Sequence, residues 1–199
     1  MAIRFREEPI GAVQCIKEGS YGIKKMHEVG EIAKTIPKSI FSLEPVRKFP
    51  GKGQWFEMRV DDFQAASLCT FAIGYTATDP ESLKESGLPA RAFEIPRTYI
   101  VGYARSAYWN GERVEIENPI AAMKPLEVFQ AGVLATPAGS LELYIDRKLA
   151  YCFDPTEQGL PPIPVDEPLF AVIDFVGGLQ KAHLLASSLP PSEEDDNQE

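Results

Sequence analysis

Phe56-Glu-Met-Arg-Val60 alternates residue by residue. Phe56, Met58 and Val60 project to one side of an extended chain, and Glu57 and Arg59 project to the other. A period of two marks a β-strand with one face on a core. Leu141-Glu-Leu-Tyr-Ile145 repeats the pattern with Leu141, Leu143 and Ile145 inward. Residues 68–75, 128–134 and 169–175 are more continuously apolar, which suits central strands covered on both faces. Between these runs, seventeen prolines and fifteen glycines break the chain into short segments rich in β-branched and aromatic residues. Asn110-Gly111, set between Ser106-Ala-Tyr-Trp109 and Glu112-Arg-Val-Glu-Ile116, is the strongest short hairpin signal. Ala138-Gly-Ser140 precedes the Leu141 strand and Asp146-Arg-Lys148 follows it. Helical signal is scarce: residues 80–86 suit one turn and residues 30–34 another. There is no internal repeat. The pattern predicts an all-β, antiparallel sandwich or barrel.

The chain of 199 residues suits one domain with a core of useful size. Its net charge of −9 is unevenly spread, because residues 192–199 hold five acids and no base and leave −4 for the rest. A mildly acidic body lacks the basic face that phosphate binding requires, which argues against nucleic acid. Cys15, Cys69 and Cys152 are odd in number and far apart, so they read as reduced thiols of an intracellular, cytoplasmic protein. The start, Met1-Ala-Ile-Arg-Phe-Arg-Glu-Glu8, carries early charges and is no secretory signal; a location in an organelle after removal of a transit segment is left open. The longest apolar run, residues 170–176, is interrupted by Asp174 and falls far short of the roughly 20 residues of a membrane helix.

Catalytic and metal motifs are missing. A zinc-binding RING needs about eight Cys and His ligands in paired spacing, and three Cys with two His and no CxxC do not supply them. Gly51-Lys52-Gly53 lacks the spacing and the Lys-Ser/Thr pair of a phosphate loop and reads as a turn before a strand. Cys152 and His183 form a nucleophilic pair only on paper, and the packed histidine is the plainer reading. Asp79-Pro80 reads as a turn opener and Asp61-Asp62 as the end of the Phe56 strand. No cofactor is expected.

Several segments in order carry a resemblance. They are Met26-His-Glu-Val29, Ser39-Ile-Phe-Ser-Leu-Glu-Pro45, Gly53-Gln-Trp-Phe-Glu-Met-Arg-Val-Asp-Asp62, Phe71-Ala-Ile-Gly-Tyr-Thr-Ala-Thr-Asp-Pro80 and Leu88-Pro-Ala90. Ala131-Gly-Val133, Gly139-Ser-Leu141 and Pro168-Leu-Phe-Ala-Val-Ile-Asp-Phe-Val-Gly177 complete the set. Over residues 26–185 the chain resembles a Neuralized homology repeat (NHR), a relative of the SPRY-type β-sandwiches. The resemblance implies two packed antiparallel sheets and a protein-binding role. It departs from the family at Asp146-Arg147-Lys148, where such domains usually have Asn-Gly. A turn of the same kind would hold Arg147 at a strained positive φ, which a rebuilt loop would avoid. Residues 104–118 also match poorly. The RING or cullin-adaptor box through which family members act in ubiquitin ligation is not recognisable, so ligase activity does not carry over.

The expected organisation is an N-terminal arm or extra strand (1–25), the sandwich (26–189) and an acidic disordered tail (190–199). The expected function is a non-catalytic module that binds a protein or peptide through inter-strand loops, with a ligase adaptor or a large assembly as partner. The alternative is a structural subunit of a large assembly, and a carbohydrate-binding jelly roll comes last because no strand pairs acids on an inward face. Large amphipathic residues around the turns nominate Arg91, Phe93, Arg97, Arg105, Tyr108, Trp109 and Arg147 as partner contacts, with Trp109 and Arg91 foremost; the plainer alternative for Trp109 and Phe93, each taken singly, is that the domain's own loops cover them. Leu88, Pro89 and Tyr151 lie in the same connections.

Overall fold

In the computed structural model, residues 13–16, 22–25, 39–63, 71–83, 89–103, 105–117, 128–175 and 179–192 are described, the first two segments by backbone alone. The Met26-His-Glu-Val29 strand, the 30–34 turn, Cys69, Leu88 and the acidic residues beyond Ser192 lie outside them. Among the described residues, fourteen strands, numbered in chain order, form two antiparallel sheets. The first sheet runs β1 (Val13–Ile16), β2 (Gly22–Lys25), β14 (Leu179–Leu184), β5 (Gly53–Phe63), β10 (Phe129–Ala135), β11 (Leu141–Ile145) and β12 (Lys148–Phe153), with β4 (Lys48–Phe49) beside the start of β5. The second runs β3 (Ser39–Phe41), β13 (Phe170–Asp174), β6 (Ala72–Thr76), β7 (Thr98–Tyr103), β8 (Ser106–Trp109) and β9 (Glu112–Glu115). The architecture is the two-sheet sandwich expected. The β1–β2 pair joins the first sheet through β14.

The alternation in β5 is why the sheets face each other. Phe56, Met58 and Val60 point inward and are buried, against Val133, Ala131 and Phe129 of β10, their register partners. From the second sheet, Ile73, Tyr75, Ala171 and Ile173 fill the same core. Burying each of the larger side chains among these contributes about 1.5–3 kcal/mol. The Tyr75 hydroxyl, fully buried, reaches two first-sheet carbonyls, Gln54 at 2.6 Å and Val133 at 2.7 Å, and ties the layers together. Gly74 lies where a Cβ would sit 2.1 Å from the Tyr99 carbonyl oxygen, so only glycine lets β6 and β7 pair there.

The turns follow their sequences. Asn110 (φ 50) and Gly111 (φ 88) join β8 to β9 with both residues left-handed, as a two-residue I′ hairpin requires. Asp146 (φ 47) and Arg147 (φ 65) join β11 to β12 in the same way. The loop is therefore not rebuilt, and Arg147 holds a conformation that suits Gly or Asn. Asp79 opens a 3-10 turn, Pro80–Ser82, by accepting from the Glu81 amide at 2.9 Å. No described helix is long and apolar enough to cross a membrane.

Each sheet also carries covered outward residues. In β5 the outward Glu57 is buried beneath residues 185–192, whereas Arg59 stays exposed. In β13 the outward Asp174 is buried beneath the chain that enters β7. Residues 154–169, with five prolines, close one end of the sandwich.

Candidate functional site

The outer face of the second sheet gathers four of the expected contact residues. Outward-facing Tyr103 and Tyr108, on neighbouring β7 and β8, meet Phe93 of the 3-10 turn Ala92–Glu94. Phe93 stacks on Tyr108 with centroids 3.9 Å apart and planes 10° from parallel, and meets Tyr103 edge-on at 5.3 Å. Both members of the stack are only half-buried. Arg91 opens the turn, and its amide donates to the Glu94 carboxylate at 3.3 Å. Arg105 stands exposed in the β7–β8 turn at the same end, and Arg113 lies across from Tyr108 with its Nε on Ser106 at 2.8 Å. Aromatic and arginine side chains in one half-exposed patch are the residue types that dominate protein hot spots.

The patch is held from below. Asp174 is fully buried, and its Oδ2 accepts from the Ala92 amide at 2.9 Å and from the Tyr103 hydroxyl. Burial pushes its carboxyl above the ordinary range, against the opposing pull of the Ala92 amide, the Tyr103 hydroxyl and Arg91. Burial, with Asp174 beside it, also raises the Tyr103 hydroxyl well above its usual value. The carboxylate fixes the turn and the ring under Phe93 at once, so the patch is preorganised.

The other nominated residues fall elsewhere. Trp109 is a correction: it is fully buried, packed on Tyr99 and Phe153, with its indole N–H donating to the Pro161 carbonyl at 2.7 Å. It anchors the proline-rich loop to the core and presents nothing to a partner. Arg97 (φ 56) sits at the opposite end of six-residue β7 from Arg105, roughly 20 Å away. There it pairs with Glu167, while the Asn110 side chain accepts from its amide at 3.0 Å. Arg147 lies on the outer face of the first sheet, 3.3 Å from Glu57. Tyr151 is half-buried against the main core. Asp174 and Tyr103 were missed, although an acid inside the apolar run of residues 169–175 was a visible signal.

Cys152 and His183 do not form a nucleophilic pair. His183 on β14 and Cys152 on β12 stand four strand spacings apart in the first sheet, roughly 19 Å. The His183 ring instead bonds Asp61, whose other oxygen takes Arg59 Nε at 2.7 Å, so both partners hold that carboxyl below its usual range despite partial burial. Burial pushes the Cys152 thiol up, and Glu142, Asp154 and Glu157 push it further, which disfavours the reactive thiolate. Among the described residues no group of three His, Cys, Asp or Glu side chains has metal-binding geometry.

The two antiparallel sheets pack as a β-sandwich, a fold shared with NHR and SPRY domains. The solution structure of the NHR domain of Neuralized from Drosophila melanogaster matches it with a TM-score of 0.63 and 14% identity, over 94% of this chain and 93% of that one. A crystal structure of the Drosophila melanogaster Neuralized NHR1 domain matches at 0.61 and 16% identity, over 94% and 99%. A human SPRY domain matches at 0.51 and 11%, over 89% and 98%. At such identities the likeness is one of fold. No family model and no curated protein sequence matches the chain.

Proposed function

We propose that this chain is a non-catalytic protein-interaction module whose recognition patch is the Phe93–Tyr108 stack with Arg91 and Arg105. The observation that carries this reading is the half-exposed stack itself, pinned by a buried carboxylate that a covering loop would not need. The sandwich shared with NHR and SPRY domains supports it. Arg97, at the far end beside Glu167, serves as a peripheral contact in this reading. The partner is a protein, and the two candidates are a ligase adaptor and the neighbours within a large assembly.

Pull-down of the tagged chain from its own cells, followed by size-exclusion chromatography, separates the two. The adaptor reading predicts substoichiometric, salt-sensitive recovery that is lost at least 10-fold with Phe93→Ala/Tyr108→Ala. Co-elution at fixed stoichiometry in one large particle marks the structural subunit. Recovery of the same partners by the folded double variant overturns the assignment of the patch.

A further inference from the structure

We infer that the outer face of the first sheet is a second docking surface, for an extended proline-containing peptide, and that residues 185–191 of the chain occupy it in cis. This surface goes beyond the proposed recognition patch, which lies on the other sheet.

The segment leaves β14 at Leu184 and makes one main-chain bond to the sheet, Leu185 N–H to Glu57 O at 2.8 Å. From there the sheet reads it with side chains. The Trp55 indole N–H donates to Ser188 Oγ at 2.9 Å, and the Ser188 hydroxyl bonds the Glu57 carboxylate. Arg147 Nη2 donates to the Leu189 carbonyl at 3.2 Å, and Lys52 Nζ donates to the Pro191 carbonyl at 3.0 Å. Pro190 is buried. Apart from one serine hydroxyl and one proline ring, the groups recognised are main-chain ones, the Leu185 N–H and the Leu189 and Pro191 carbonyls, which any extended peptide presents.

What lies beneath is built as a binding floor. Trp55, Leu134 and Tyr144, with Phe49 packed on them, form an apolar cluster separate from the main core. Trp55 and Tyr144 meet edge-on at 5.5 Å, and the indole lies flat over Gly132, where a Cβ would come within 2.1 Å of the ring. Arg147 keeps its left-handed turn (φ 65), and its guanidinium reaches both the buried Glu57 and the segment. Leu189, between Ser188 and the buried Pro190, faces solvent at 60% exposure and takes no part in the apolar contact. Beside it an open cleft of about 530 Å³, lined by Arg59, His183 and residues 184–188, prolongs the path. The chemistry that fits is a hydroxyl residue two positions before a proline, as in Ser188-Leu-Pro190.

The test uses the full chain and a fluorescein-labelled peptide of residues 185–192, read by anisotropy. Ser188→Gly/Pro190→Ser strips the cis segment of its two side-chain contacts. A closed-to-open ratio of about 10 or more in the wild type makes this variant bind the peptide at least 10-fold more tightly than the wild type. Adding Arg147→Gly abolishes the gain, whereas adding Phe93→Ala leaves it unchanged, so this surface and the recognition patch stand or fall separately. Equal binding by wild type and variant overturns the inference. If the variant does not fold, hydrogen exchange of the wild type decides. Amides of Leu185 and Ser188, bonded to the Glu57 and Leu185 carbonyls, at least ~100-fold less protected than those of β5 support a segment that lifts alone, and equal protection overturns it.

Discussion

Both sheets bury a carboxylate on their outer face beneath a crossing segment, and they do so differently. Asp174 is sealed at 0% exposure between neutral donors, the Ala92 amide and the Tyr103 hydroxyl. Glu57 is nearly as enclosed at 2%, but its partner Arg147 keeps about a third of its side chain in water. Burial raises the Glu57 carboxyl, and Arg147 and then Ser188 pull it back. A carboxylate held by neutral buried donors fixes its cover, because parting them strands polar groups in an apolar setting. One held by a solvent-reaching cation can release its cover and keep its partner. The second-sheet face is therefore a fixed platform, and the first-sheet face is one that opens.

Removing each carboxylate breaks the comparison most sharply. Asp174→Ala leaves two buried donors unmet and lowers stability by roughly 2–4 kcal/mol, read as a shift in urea midpoint. Gly132→Ala drives a Cβ into the Trp55 ring and costs about 1–3 kcal/mol, with faster exchange confined to residues 185–192. Glu57→Ala costs about 1 kcal/mol or less, since Arg147 turns to water. A loss equal to that of Asp174→Ala would erase the distinction between the faces. Phe93→Ala removes one member of a half-exposed stack, costs about 1 kcal/mol, and acts mainly on partner binding.

The smallest effect is a slope. The folded Asp174 carboxyl lies above its ordinary value, so the native state binds the proton more tightly than the unfolded chain. Its contribution is most favourable at acid pH and is lost as pH rises through the raised folded value. Asp174→Asn does not titrate, so its stability falls less than that of the wild type between about pH 4 and pH 7. Urea midpoints across that interval check the sign, and a steeper fall in the variant contradicts the burial described.

How much of this was legible depended on the range of the cause. The alternation of Phe56, Met58 and Val60 and the Asn110-Gly111 turn act over a few residues, and both stand where they were read. Arg147 was visible as a residue unsuited to its turn. Its reason was not, because Glu57 lies 90 positions away and meets it only when β5 and β11 share a sheet. Trp109 misled for the same reason: a tryptophan before a turn suggests an anchor, and the groups that cover it include Phe153 and the Pro161 carbonyl, 52 positions on. Phe93 and Tyr108 were nominated singly, and their stacking required the 3-10 turn that Asp174 holds.

The most direct test of the central claim is hydrogen exchange of the full chain with and without the protein it captures. Slower exchange confined to residues 91–95 and 105–113 is the predicted result. Protection at residues 154–169 alone, with the Phe93–Tyr108 patch unchanged, would contradict it.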